Sequence, residues 1–254
     1  MTAPRDEVEQ IQRSLRLLWG TGDRPTRGPR PKLTLDRIVT AAITVADTGG
    51  IEELSMRRVA AELGVGTMSL YRYVPGKVEL LALMMDRVND LGLTSEQLAG
   101  KSWREVLERM ARASYRAYLD HPWVLQVNWT RQVLGPTAVA RLELAVGALA
   151  DCGLTDPERI AVVDLLEGYV SGLARQRVYY QTASERSGLT HEQFWAAQYP
   201  TLAAAMTSGR YPAMADLSED AFGFTWEQSF EFGLARLLDG VGLLIGSRQR
   251  RAGG

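Results

Sequence analysis

A chain of 254 residues, 46% hydrophobic and 23% charged, has the composition of a folded globular protein and length enough for one large domain or two modest ones. Its 24 glycines and 10 prolines exclude a collagen-like or low-complexity chain, and a formal net charge of −1 excludes a uniformly basic coat for nucleic acid. The single cysteine, Cys152, excludes an intramolecular disulfide; with only His121 and His191 beside it, no ligand set exists for a multi-histidine or Cys/His zinc site, so neither a metal nor a cofactor is expected.

The longest apolar run is the six residues 80–85, far below the ~18 that a membrane span needs. Residues 1–10 carry Arg5, Asp6, Glu7 and Glu9 and lack the apolar stretch of a secretion signal, so a cytoplasmic location is expected. Asn128-Trp129-Thr130 matches a glycosylation sequon and is read as chance.

In chain order, Val8, Ile11, Leu15, Leu18 and Trp19 recur at spacings of three and four, which suits either a short amphipathic helix over 6–19 or a frayed tail. Gly20, Gly22, Pro25, Gly28, Pro29 and Pro31 then forbid a helix and make a linker whose arginines ride on a flexible arm. From Thr34 the pattern is helical almost without a break. Thr34 precedes Leu35, Ile38, Ala41, Ala42, Val45 and Ala46, and Gly49-Gly50 stops that helix after Thr48. Capping-box starts follow at Thr94-x-x-Gln97, Ser102-x-x-Glu105, Thr155-x-x-Glu158 and Thr190-x-x-Gln193. Long helices are expected at 77–91, 102–119, 136–150, 157–180, 191–206 and 225–245. No strand pattern competes with them, and the fold class is all-α.

Two stretches concentrate positive charge. Arg24, Arg27, Arg30, Lys32 and Arg37 are opposed only by Asp36 between positions 24 and 37, and Arg57, Arg58, Arg72 and Lys77 only by Glu62 between positions 54 and 77. The second stretch has the spacing of a helix-turn-helix. Ser55 can cap a helix through Leu63 whose Val59, Ala60 and Leu63 share one face; Gly64 allows the positive φ of a tight turn, and Val65 returns to the core. A second helix over 67–74 buries Leu70, Tyr73 and Val74, leaving Thr67, Met68, Ser69 and Arg72 facing out with Tyr71 at the edge. Hydroxyls and a guanidinium at an exposed helix start suit base edges in a major groove, and Met68 suits a thymine methyl. Arg57 and Lys77 are placed to hold backbone phosphates.

The run LDRIVTAAITVADTGG followed by LSMRRVAAELGVGTMSLYRYVPGKVELL resembles the DNA-binding domain of the tetracycline-repressor (TetR) family of bacterial transcription factors. The resemblance covers about residues 34 to 85, including Gly64, the Leu70-Tyr71 pair and Lys77; the remaining two thirds share only helical character and suitable length. It implies a homodimer that represses transcription from a palindromic operator and leaves DNA when a small molecule binds. Arg57, Thr67, Met68, Ser69, Tyr71, Arg72 and Lys77 fall on the family's DNA-contacting positions, with Arg72 standing where relatives often carry Trp or His. The expected organisation is an arm over 1–33, a three-helix helix-turn-helix domain over 34–80 and a larger helical ligand-binding and dimerisation domain over 81–254. Arg27, Arg30 and Lys32 of the arm either enter the neighbouring minor groove or follow phosphates, or else belong to a solvated linker.

Beyond residue 90 large aromatic residues are abundant. Trp103, Met110, Tyr118, Trp123, Trp129 and Tyr169 are candidate linings of an inducer cavity between helices, the alternative for each being plain core. Glu167, in an apolar part of its helix, either pairs with a cationic ligand or faces the surface or a dimer partner. The tetracycline repressor takes a metal with its drug; His121 alone does not rebuild that arrangement. Gly168, Ser171, Gly172 and Ala174, with Phe230, Gly233, Leu234, Leu237, Leu238, Val241 and Leu244, suit the four-helix dimer interface that the resemblance implies, or a core within one subunit.

The competing classes are a helical-fold enzyme and an interaction adaptor that does not read DNA. Against the first, the chain has no Gly-x-Gly-x-x-Gly after a strand, no Gly-x-Ser-x-Gly and no phosphate loop, Tyr71 standing where the upstream glycine of Gly76-Lys77 belongs. An adaptor needs no basic arm. The expected partners are therefore operator DNA, a small-molecule inducer and a second copy of the chain, with no membrane.

Overall fold

The structure, a computed structural model, describes residues 4–20, 33–127 and 132–252. All regular elements among them are helical: α1 (Pro4–Leu18), α2 (Leu35–Gly49), α3 (Met56–Glu62), α4 (Thr67–Tyr71), α5 (Lys77–Val88), α6 (Ser95–Leu98), α7 (Trp103–Asp120), the 3-10 turn η1 (Pro122–Gln126), α8 (Pro136–Ala148), α9 (Asp156–Ser187), α10 (His191–Thr207), α11 (Pro212–Ala215) and α12 (Trp226–Ala252). None is long and apolar enough to cross a membrane.

Helices begin where side chains satisfy their free N–H groups. Thr34 accepts from the Arg37 N–H and Ser55 from the Arg58 N–H, and the boxes at Thr94, Ser102, Thr155 and Thr190 are all formed. The amino-terminal segment is a helix, α1, packed along α5. Four helix ends depart from expectation by three or more residues: α5 stops at Val88 rather than 91, α12 runs to Ala252 rather than 245, and α4 and α9 differ as follows. Helix α4 ends at Tyr71, with Arg72 its C-cap, three residues short of the expected Val74; Pro75 disfavours helical backbone at Val74, and the Tyr73 and Val74 N–H groups both return to the Leu70 carbonyl, at 2.8 and 2.9 Å. Helix α9 runs to Ser187 rather than Tyr180, until Gly188 closes it with φ 69°; no breaker stands between those two points.

Helices α2, α3 and α4 enclose Ile38, Ala42, Val45, Leu54, Val59, Ala60 and Leu70, and α5 closes that core with Leu80, Leu83 and Met84. Helix α7 forms the centre of the second half, packed against α8, α9, η1 and α12. Helices α10 and α11 contribute no buried residue.

The two halves meet through polar contacts as well as packing. Trp123 donates its indole N–H to Asp47 at 2.8 Å, and His121 Nδ1 lies 2.8 Å from the same carboxylate oxygen, so η1 is fixed to the end of α2. Within the first half, Arg13 of α1 pairs at 3.3 Å with Glu79 of α5, a carboxylate almost wholly out of solvent.

Candidate DNA interface and ligand cavity

The turn between α3 and α4 follows from one glycine. Gly64 takes φ 65°, which costs an L-residue ~1–2 kcal/mol, and the Val65 N–H then returns to the Ala60 carbonyl at 3.0 Å. Leu70 and Val74 are fully buried, which sets the rotation of α4. The opposite side of that helix is therefore forced outward: Met68 is 76% exposed, Tyr71 and Arg72 are exposed, and Thr67 and Ser69 are half-buried beside them. Arg57 is exposed on α3. Lys77, at the first position of α5, is exposed with Nζ 3.5 Å from the Ile51 carbonyl. The surface so built has a short polar rod, two hydroxyls, an aromatic edge and flanking cations, the features that enter a groove and hold its phosphates.

Between α7, α8 and α9 lies a cavity of about 200 Å³. Leu107, Met110, Leu134, Leu142, Val163 and Val170 give it an apolar lining. Its polar wall is a chain of four side chains. Tyr118 donates its hydroxyl to Glu167; Arg141 pairs with the other Glu167 oxygen and donates to Asn89 Oδ1 at 2.9 Å; Asn89 donates to the Met85 carbonyl at 2.9 Å. Burial pushes the Tyr118 phenol well above its ordinary value, so it stays a donor. Burial works against the Arg141 charge, and Glu167 more than restores it.

The comparisons with known proteins agree with this arrangement. Residues 38–84 match the family described as bacterial regulatory proteins, tetR family, and residues 97–244 match the tetracyclin repressor-like C-terminal domain. The chain belongs to the TetR family. Among its relatives, the HTH-type transcriptional repressor DrrR1 of Streptomyces coeruleorubidus is 53% identical over 94% of this chain and 88% of its own. An HTH-type transcriptional regulator of Saccharopolyspora erythraea is 32% identical over 90% and 92% respectively. The crystal structure of ActR from Streptomyces coelicolor in complex with actinorhodin has a TM-score of 0.67 at 28% identity, covering 86% of this chain and 98% of that one. Apo ActR superposes with a TM-score of 0.66 at 29% identity, covering 86% and 99%. This TetR-family protein is a DNA-binding transcriptional regulator and not an enzyme.

The TetR fold distributes the candidate residues unevenly. Arg57, Thr67, Met68, Ser69, Tyr71, Arg72 and Lys77 come together on the helix-turn-helix surface. Arg27, Arg30, Lys32 and Trp129 lie outside the described residues. Of the expected cavity linings, Met110 and Glu167 line it. Tyr118 does not line it and is joined to its wall through Glu167. Trp123, 1% exposed, is turned to Asp47 of α2, and Trp103 packs near Gly242 of α12. Tyr169 stacks on Phe230 and donates to the Phe230 carbonyl at 2.8 Å, at the α9–α12 contact. Glu167 is taken by Arg141 and Tyr118, which leaves it poorly suited to a cationic ligand. Asn89, Gln132 and Arg141 escaped the sequence reading; a charged residue inside the apolar α8 pattern was the one signal for Arg141.

Proposed function

We propose that this protein is a homodimeric repressor that binds a palindromic operator through α4 and leaves it when a small, largely apolar ligand enters the α7–α8–α9 cavity. The observation that carries the reading is the rotation of α4: burial of Leu70 leaves Met68, Tyr71 and Arg72 outside with no role in the subunit's own core. The domain organisation that fits is a helix-turn-helix unit over 34–80 and a ligand and dimer unit over 81–254, with Arg27, Arg30 and Lys32 of the arm reaching the adjacent minor groove. ActR, a neighbour of this fold, is solved with actinorhodin and with (S)-DNPA, which supports a ligand-responsive second half here.

Two exposed stripes support the homodimer. Leu165, Gly168 and Tyr179 are exposed along α9, and Phe232, Gly240 and Leu243 along α12. These replace much of the face expected from sequence. Phe230, Leu234, Leu238 and Val241 are buried within the subunit, as is Ala174, because the inward side of each helix is needed to pack on α7 and on the other. Two copies joined along the outer stripes would carry two α4 helices to half-sites about one duplex turn apart, ~34 Å or slightly more.

Footprinting on the DNA upstream of the protein's own gene tests the reading. One protected palindrome is expected, lost in Arg72→Ala and Tyr71→Ala while the sedimentation of the dimer is unchanged. Equal affinity for every duplex would refute sequence reading, and a monomer at micromolar concentration would refute the dimer.

A further inference from the structure

We propose that Arg141 is a movable partition inside the cavity, and that a ligand is sensed when it draws Arg141 away from Asn89. The inference rests on the reading of the α7–α8–α9 cavity as the ligand site. At about 200 Å³ that space is smaller than the ~300–1,000 Å³ usual for small-molecule sites. A second space of about 70 Å³, lined among others by Leu91, Leu93, Ala140 and Leu144, adjoins it. Asn89, Met110 and Arg141 line both spaces and therefore form the wall between them. Met110 is adaptable by nature, three rotatable bonds and no hydrogen bond. Arg141 and Asn89 are held by the polar chain described above.

A ligand that extends from the first space into the second must swing Arg141 aside. Asn89, only 5% exposed, then loses the donor at its carbonyl oxygen, and a buried acceptor without a partner is costly. The disturbance falls on the last turn of α5, because the Asn89 amide is bonded to the Met85 carbonyl of that helix. Helix α5 begins at Lys77, directly after the α4 surface, so its far end is the point at which cavity and DNA surface share one rigid element.

The same wall indicates the chemistry of the ligand. Arg141 offers donors only. On another side of the cavity the Gln132 side-chain N–H2 is buried with no hydrogen-bond partner among the described residues. Glu167, the acidic group of the polar chain, is occupied. The complementary molecule has an apolar body longer than the first space and carries acceptor oxygens, carbonyl, phenolate or acid, set toward Arg141 and Gln132 and away from the Asp164 carboxylate that also lines the space.

The test uses the full-length dimer without ligand. Arg141→Lys keeps a cation beside Glu167 but cannot fork to two partners, and Asn89→Ala removes the other end of the link. Each is expected to weaken binding to the footprinted segment about tenfold, and the pair to weaken it no further than either alone. Hydrogen exchange of amides 85–89 should quicken in both by more than the accompanying fall in melting temperature accounts for. Wild-type affinity together with unchanged exchange in both variants would overturn the partition; a wild-type protein with no preferred segment would instead overturn the function proposed above. For ligand class the probes are anilinonaphthalene sulfonate and neutral phenylnaphthylamine. At least tenfold tighter binding of the sulfonate, lost in Arg141→Met, is expected, and no Arg141-dependent preference would overturn the class.

Discussion

Asp86 caps a helix that begins fifty residues further along the chain: its Oδ1 accepts the Ala138 backbone N–H at 3.0 Å and its Oδ2 the Thr137 N–H at 3.3 Å. Helix α8 needs this because its own N-cap, Gly135, has no side chain to offer. The glycine is in turn required by the carboxylate, since a Cβ there would lie 2.3 Å from Asp86 Oδ1. A carboxylate at a helix start also meets the positive end of the helix dipole. Asp86 thus ties α5 to the helix that carries Arg141.

Removing that cap should be visible in stability. Asp86→Ala is expected to cost about 1–2 kcal/mol, the range for lost N-caps, and to lower Tm by about 2–4 °C per kcal/mol for a chain of this size. Scanning calorimetry reads it, and a Tm within about 1 °C of wild type would contradict the role.

Lys77 stands at the mouth of α5, exposed and weakly held by the Ile51 carbonyl. If it meets a phosphate, Lys77→Ala should weaken all duplexes alike and reduce the slope of log affinity against log salt by about 1. Anisotropy titrations at several salt concentrations measure both. Loss confined to the operator would instead make Lys77 a reader of bases.

Two glycines of α12 predict opposite outcomes. At Gly233 a Cβ would sit 2.4 Å from the Tyr169 hydroxyl and 2.8 Å from its ring carbons, and Tyr169 cannot retreat without giving up its bonds to the Ser229 and Phe230 carbonyls. Gly233→Ala should therefore destabilise the subunit by about 1–3 kcal/mol through overpacking. At Gly240 a Cβ meets nothing within 4 Å. Gly240→Leu should leave the helical signal of the subunit intact and shift the sedimentation equilibrium toward monomer; unchanged association would move the interface elsewhere.

A fork of two 2.8 Å bonds joins Arg112 on α7 to Glu231 on α12. The hydrogen bond from Arg112 holds the Glu231 carboxyl below its ordinary 4.5. A depressed folded value means the pair contributes above about pH 4.5 and fades as pH falls through the lower value. Glu231→Gln should accordingly melt below wild type at pH 7 and converge with it in acid. A constant offset across the pH range would show that the ion pair contributes nothing.

The helix-turn-helix was readable because each of its demands is local. Ser55 as cap, Gly64 at the turn and Leu70 with Val74 inward are set by neighbours within a few positions, so type and spacing were enough to predict the exposed face of α4. The same holds for the boxes at Ser102, Thr155 and Thr190, which place helix starts almost to the residue.

Pattern alone could say that Trp103, Trp123 and Tyr169 turn toward the protein interior, and it could not say against what. An aromatic stripe reports the rotation of its own helix, whereas the identity of the neighbour depends on segments dozens of positions away: Asp47 for Trp123, Phe230 for Tyr169. Likewise Phe230, Leu234 and Leu238 read as apolar whether a second subunit or α7 and α9 cover them. Asn89, Arg141 and Glu167 stand 26 to 78 positions apart and become one polar wall only when α5, α8 and α9 converge. Short-range chemistry thus wrote the outward face of α4 into the chain's own order, and long-range packing alone selected which side chains enclose the cavity.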